Sequence, residues 1–437
     1  MTPQSSFMIQ ATIVPEREAE LRRLLASMNS QPGRLDPLNS LVPFARLQRL
    51  HFARFVILDD GTLDDITVYG LPRVNYPKYL VLLGDVDGAA DAFLVELTKA
   101  GGDGLRRIFS HCKEYKPDVD LLVWIKAQSV SPAANYVNWV GRTVLQVREE
   151  EALRQSMESF LQENEAWLGA MTPRDVRDSL LKFVAAEQRA SHITLTPEEP
   201  TPLGWRLRDF LNFLGMPALV LLLAIITLPL LPFFVAFFLI QLRRLERSDP
   251  EIAPRVDPAH ADLLSSLEDH DVTNQFSAMG SLKPGLFRRL TITVVLGAID
   301  YTAKHIFNRG RLARVTTIHF ARWVFLDGSK RVIFASNYDG SLESYMDDFI
   351  NKVGFGLNVV FSNGLGYPRT NWLILDGAKD EQRFKDYLRR HQVPTQVWYN
   401  AHPGLTALDR RRNSLIREGL EQPSMSEDEI QEWLQLL

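Results

Sequence analysis

The chain has 437 residues, enough for two or three domains of about 150 residues each. Its 46% apolar and 23% charged content excludes a mainly disordered protein, and a net charge of −4 lacks the basic excess expected of a nucleic-acid binder. The single cysteine, Cys112, excludes an internal disulfide and any Cys-rich metal site.

In chain order, the opening MTPQSSFMIQATIV lacks the basic start and apolar run of a signal peptide and reads as a strand from Ser6. REAELRRLLASM follows with helical spacing. LHFARFVILDDG, residues 50–61, is a strand ending in an Asp-Gly turn, and YLVLLGD is the next strand. Asp87-Gly88 then opens a helix, AADAFLVELTKA, and LLVWIKA is a further strand candidate. The order β-α-β-β-α-β is that of a ferredoxin-like unit, placed at 1–155.

Two amphipathic helices follow at 156–204. Leu153, Met157, Phe160, Leu161 and Leu168 make the stripe of the first, and Thr172-Pro173 is an N-cap with proline at the first helical position of the second. Residues 213–242 then carry no charge. Thirty residues of helix span about 45 Å, against a hydrocarbon core of about 30 Å. Pro229 and Pro232 break the run into two arms, each too short to cross comfortably. Arg206 and Arg208 precede it, and Arg243, Arg244 and Arg247 follow it. Positive flanks at both ends suit a hairpin at 205–247 that enters and leaves on the cytoplasmic side, with a single span as the alternative. A polar linker is read at 248–284.

The second unit, 285–420, restates the first. IHFARWVFLDGS, residues 318–329, repeats the HFAR strand; SNYDGSLESY, 336–345, answers GDVDGAADAF, 84–93; YNAHPGLTALDRRRNSLIR, 399–417, answers YVNWVGRTVLQVREEEALR, 136–154. Three blocks in one order indicate duplication. RRLTITVVL is read as the opening strand of this unit, DYTAKHIFN as a helix, KRVIFAS as a strand and NWLILDG as the last strand. A capping box, Ser426 with Glu429, opens a terminal helix in 421–437. The expected fold is α+β. Two ferredoxin-like repeats face each other in an intrachain pseudo-dimeric α/β barrel, because a sheet with one bare apolar face needs a second layer. A membrane-anchoring hydrophobic hairpin lies between them.

Strand alternation puts His51 or His319 on one face and Arg54 or Arg322 on the other, so one of each pair points into the barrel. His319, His51, Arg54, Trp323, Asn337 and Tyr338 group polar beside aromatic side chains, as ligand pockets do. The competing reading of each is structural: a core histidine, a paired arginine, an Asp capping a helix. No G-x-S-x-G, P-loop, H-E-x-x-H or C-x-x-C motif is present.

Gly84-Asp85-Val86-Asp87-Gly88 resembles the G-x-x-D-G motif of dye-decolourising peroxidases, a family of tandem ferredoxin-like units that bind haem. The resemblance implies that Asp87, or Asp339 where Ser336 replaces the first glycine, is a distal acid assisted by an arginine such as Arg322. It also implies a haem cofactor with an axial histidine, for which His319, His391 and His402 are the candidates. The expected function is that of a membrane-anchored α/β-barrel protein holding an apolar or lipid-derived small molecule between its repeats. The alternatives are a haem-dependent peroxidase-like oxidoreductase and a non-catalytic membrane scaffold. The first two need a cavity between the repeats; the third predicts a filled interior.

Overall fold

A computed structural model describes residues 1–310 and 312–437. The protein is mixed α+β with antiparallel sheets. Its first half runs β1 (Gln4–Thr12), α1 (Glu18–Ala26), a small hairpin of β2 (Asn29–Gln31) and β3 (Arg34–Leu35), β4 (Leu50–Leu58), β5 (Tyr79–Asp87), α2 (Ala90–Phe109), α3 (Leu121–Ala127) and β6 (Ala134–Val137). Helices α4 (Val144–Glu163), α5 (Glu165–Leu168) and α6 (Pro173–Arg189) follow. Then come the apolar pair α7 (Leu203–Thr227) and α8 (Leu231–Ser248), and the short α9 (Pro258–Ser265). The second half runs β7 (Thr273–Ser281), α10 (Leu286–His305), β8 (Ile318–Leu326), β9 (Arg331–Asp339), α11 (Leu342–Phe361), a small hairpin of β10 (Thr370–Asn371) and β11 (Leu375–Asp376), α12 (Glu381–His391) and β12 (Thr395–Asn400). Helices α13 (Ala407–Glu421) and α14 (Glu427–Leu434) end the chain's described elements.

Two four-stranded sheets result, ordered β1-β5-β4-β12 and β6-β8-β9-β7. Each half gives its last strand to the other. β12 pairs with β4, Trp398 opposite Arg54, and β6 pairs with β8, Ala134 opposite Trp323. The crossing segments touch both sheets: Val130 N–H donates to Met8 O at 2.8 Å, and Ala133 N–H to Trp323 O at 2.7 Å. The sheets do not close into the expected barrel. They stack, and Met8, Val56, Leu58, Val81, Leu83, Met279, Val324, Leu326, Ile333 and Ala335 fill the space between them. Each such buried aliphatic is worth about 1.5–3 kcal/mol. Helices α1–α3 cover the outer face of the first sheet and α10–α12 that of the second. A separate cluster, including Leu153, Met157, Leu180, Ile416 and Trp433, joins α4, α6, α13 and α14.

Three expected strands are corrected. RRLTITVVL lies in helix α10, where Arg288, Thr291, Ile292 and Leu296 are buried at helical spacing. Its place in the sheet is taken by TNQFSAMGS, inside the stretch read as a polar linker, so the second half starts its sheet at Thr273 rather than after 285. That strand is polar because its buried side chains are bonded: Asn274 donates to Asp269 and to Gly340 O, and Ser277 Oγ accepts from Arg54. LLVWIKA is helix α3, started by the Asp120 carboxylate, which accepts from Val123 N–H at 2.9 Å. NWLILDG holds only parts of the β10–β11 hairpin.

The apolar run is two helices parted at 228–230, with Pro232 in the first turn of α8. Among the described residues one helix, α7, is long and apolar enough to cross a membrane, with a mean hydropathy of 2.3 and none of that window buried. Both legs rest on α10. Asn212 and Phe213 meet His305 at its end, and Phe238 meets Phe287 at its start.

Because each sheet contains a strand of the other half, the halves hold together without a covalent link. A protease site inserted at Pro254–Arg255, in the exposed stretch 250–257, and cleaved in detergent, leaves both fragments co-eluting on size exclusion. Separate elution of native fragments refutes the exchange.

Candidate functional site

Within the HFAR strands, Ala53, Phe55 and Ile57 pack under the helices, and Val56 and Leu58 face the other sheet with Arg54. Arginine therefore points between the sheets, and each histidine ring meets a phenylalanine of the opposite sheet, His51 with Phe320 at 5.6 Å and His319 with Phe52 at 5.4 Å between ring centres. His51 and His319 each fall at a register shift, between Leu50 and Phe52 and between Ile318 and Phe320. A bulge re-aims one side chain in this way.

The two arginines are exchanged between the sheets. Arg54 donates to Phe276 O at 2.8 Å, Ser277 Oγ at 2.9 Å, Ser336 O at 2.9 Å and Asn337 Oδ1. Arg322 donates to Phe7 O at 3.0 Å, Gly84 O at 3.1 Å and the Asp85 carboxylate. Asn337 Nδ2 donates to the other Asp85 oxygen at 3.2 Å, linking the two sets. Gly84 is required here, because a Cβ would lie 2.6 Å from Phe52 O and 2.7 Å from the Phe7 ring. Arg54 also lies over Trp398, 5.1 Å from the ring centre. Two buried guanidiniums thus share one carboxylate. Burial, and then the nearby Arg322, pulls Arg54 down to about 9, and burial pushes Asp85 up despite both arginines. Desolvation outweighs the attraction, as is usual for ion pairs deep inside proteins.

Each histidine makes a clamp. His51 Nε2 meets Asp87 Oδ1 at 2.8 Å, and Asp87 Oδ2 accepts from Val144 N–H, the first residue of α4, at 2.9 Å. His319 Nε2 meets Asp339 Oδ1 at 2.6 Å, and Asp339 Oδ2 accepts from Ala407 N–H, the first residue of α13, at 2.7 Å. Both carboxylates sit at the positive end of a helix. The remaining ring nitrogens are engaged too. Arg410 donates to His319 Nδ1 at 2.9 Å, which places the His319 proton on Nε2. His51 Nδ1 meets His402 Nε2 at 3.0 Å. His402 Nδ1 is buried with no partner among the described residues. Burial, with Arg410 next, holds His402 well below the usual histidine range.

The other expected site residues do not converge. Tyr338 stacks on Tyr345 at 4.0 Å between ring centres. Trp323 faces the helices and, with His391, lines a cavity of about 40 Å³ under α10–α12. Arg410 and Asp85 were not read from the sequence as site residues. Arg410 sits in the Arg410-Arg411-Arg412 run, which reads as a solvated helix face. Asp85 aligns with Asn337 two residues before each repeated Asp-Gly, a position that could have flagged it.

Haem does not fit these residues. His319 has no free nitrogen, and the unpartnered nitrogens, His402 Nδ1 and His391 Nε2, are buried, His391 beside a cavity of only about 40 Å³. Pockets for ligands of that size run to about 300–1,000 Å³. Both oxygens of Asp87 and of Asp339 are likewise engaged. Among the described residues no cluster of His, Cys, Asp or Glu could hold a metal ion. Comparison with known proteins returns no matching family model, curated protein or solved structure.

Two outcomes follow. Asp85→Asn leaves both guanidiniums buried without a carboxylate and should cost about 3–5 kcal/mol in chemical unfolding. Adding Asn337→Asp should recover much of that loss; no recovery would break the shared-carboxylate account. The second concerns His391, which burial holds below its ordinary value. The unfolded chain then binds the extra proton once pH falls below about 6.5, so this residue's contribution is stability lost toward acid. His391→Gln should flatten the acid limb of stability against pH by up to about 1.4 kcal/mol per pH unit.

Proposed function

We propose that the protein is a membrane-anchored, non-catalytic scaffold. In this reading its two halves are ferredoxin-like units locked by strand exchange, and its apolar hairpin enters and leaves the bilayer on the side the units share. The observation that carries it is the exchange. β12 follows the hairpin in sequence yet lies in the sheet of β1, β4 and β5, and β6 precedes the hairpin yet lies in the other sheet. A single crossing between them would put paired strands on opposite sides of a bilayer. The chain must return. The apolar part of α8, residues 231–242, spans about 18 Å, short of the hydrocarbon core of about 30 Å, so the pair dips in as a wedge. Arginines at both feet favour the cytoplasmic side. Leu286, Leu290 and Val294 extend the exposed apolar surface along α10, between those feet.

The filled sheet interface supports a scaffold over a binding barrel. The arginines, both His–Asp clamps and the aliphatics between the sheets occupy one another and leave little space for an apolar ligand or a haem.

The protein should stay in the pellet after an alkaline carbonate wash, and removal of residues 203–248 should release it. In sealed vesicles, epitopes at residues 70 and 330 should be cleaved or protected together; opposite exposure sinks the hairpin. Purified from a haem-replete host, the protein should show no Soret band, and a stoichiometric band would return the peroxidase reading.

A further inference from the structure

We propose that the end of α8 and the tip of the β10–β11 hairpin form a headgroup site for an anionic phospholipid. The proposal rests on the membrane-anchored reading and deepens it. The tip reads Trp372-Leu373-Ile374-Leu375, and Trp372, Ile374 and Leu375 are 44–48% exposed. Trp372 and Leu373 have φ of 55° and 66°, in the left-handed region that bulky residues avoid. Something must hold them there, and α8 does. The buried Glu246 carboxylate accepts from Thr370 Oγ1 at 3.0 Å, Trp372 N–H at 3.0 Å and Leu373 N–H at 2.7 Å. The fold thus pins an apolar tip, in a strained conformation, beside the foot of the membrane hairpin.

Between tip and helix runs an open groove of about 560 Å³, walled by Leu239, Ile240 and Trp372 and edged by Arg243, Arg244 and Arg247. Arg243 is committed, paired with Glu246 at 3.0 Å and lying over the Trp372 ring. Arg244 and Arg247 are exposed, one helical turn apart, and no side-chain hydrogen bond or ion pair ties either to another described residue. Two free guanidiniums above an apolar wall match a phosphate above acyl chains, and guanidinium forks grip phosphate oxygens in pairs. Leu239 and Ile240 continue the uncharged run of the anchor, so the groove opens where headgroups meet hydrocarbon. Tryptophan favours that level. This continuity selects a lipid over a free phosphate ester.

The test uses the full chain with Ile374→Cys in a Cys112→Ala background, labelled with a polarity-sensitive dye and reconstituted into phosphatidylcholine vesicles. Spin-labelled phosphatidylglycerol should quench the dye more than spin-labelled phosphatidylcholine. Removing both arginines (Arg244→Gln with Arg247→Gln) should abolish that preference at unchanged thermal stability; each arginine near an anionic surface is worth about 1 kcal/mol, or about fivefold. Equal quenching by the two lipids in the parent chain overturns the proposal. So does loss of the preference on adding soluble glycerol phosphate, which would mark a site for the free ester. A chain that floats with vesicles but carries an unquenched dye refutes this site alone. A chain that does not float refutes the anchor itself.

Discussion

Two guanidinium groups, buried between two sheets and sharing one carboxylate, set the terms for the rest of the structure. Arg54 and Arg322 reach across the stack in opposite directions and each binds backbone carbonyls of the other half. Those carbonyls have fixed positions, so the sheets have little freedom to slide or rotate against each other. An apolar interface of the same area would tolerate several offsets. The arginines tolerate one, at the cost of desolvating two cations. The two halves correspond at atomic scale here, since Phe7 and Phe276, Gly84 and Ser336, and Asp85 and Asn337 play matching parts. The symmetry breaks at Asn337, where an amide stands in place of a second carboxylate and links Arg54 to the Asp85 that Arg322 binds directly.

The histidines do a related task at the edge of the stack. Each His–Asp pair resembles the orienting half of a catalytic constellation. The outward nitrogen of His319 is taken by Arg410, and that of His51 by His402. The carboxylates spend their second oxygen on the first N–H of α4 and α13. The pairs therefore fasten a helical layer to the sheets.

The HFAR strands, the Asp-Gly helix starts and the duplicated order were legible because they are local patterns repeated with the same spacing. The proline break in the apolar run was legible for the same reason, and the helices part at 228–230. The strand at Thr273–Ser281 was not, because its buried asparagine, glutamine and serine look solvated until their partners are known. Helix α10 was misread because it is apolar on two faces. One packs on the sheet and one carries Leu286, Leu290 and Val294, so the helical period is blurred and β-branched residues dominate. The exchange of β6 and β12 left no local trace, since either partner sheet would bury the same side chains. Arg410 was hidden by its neighbours: three adjacent arginines read as one exposed charge run, although only one of them turns inward.

The exchange also imposes an order on synthesis. As the chain emerges, the sheet built on β1, β4 and β5 lacks its fourth strand until residue 400 has been made, long after the apolar hairpin. Strand β4 spends that interval as an unprotected edge, and its inward arginine has no carbonyls to bind. The apolar pair of α7 and α8 is thus made before the first sheet can be completed. The nascent first half stays open to pairing with any other strand until its own distant partner arrives.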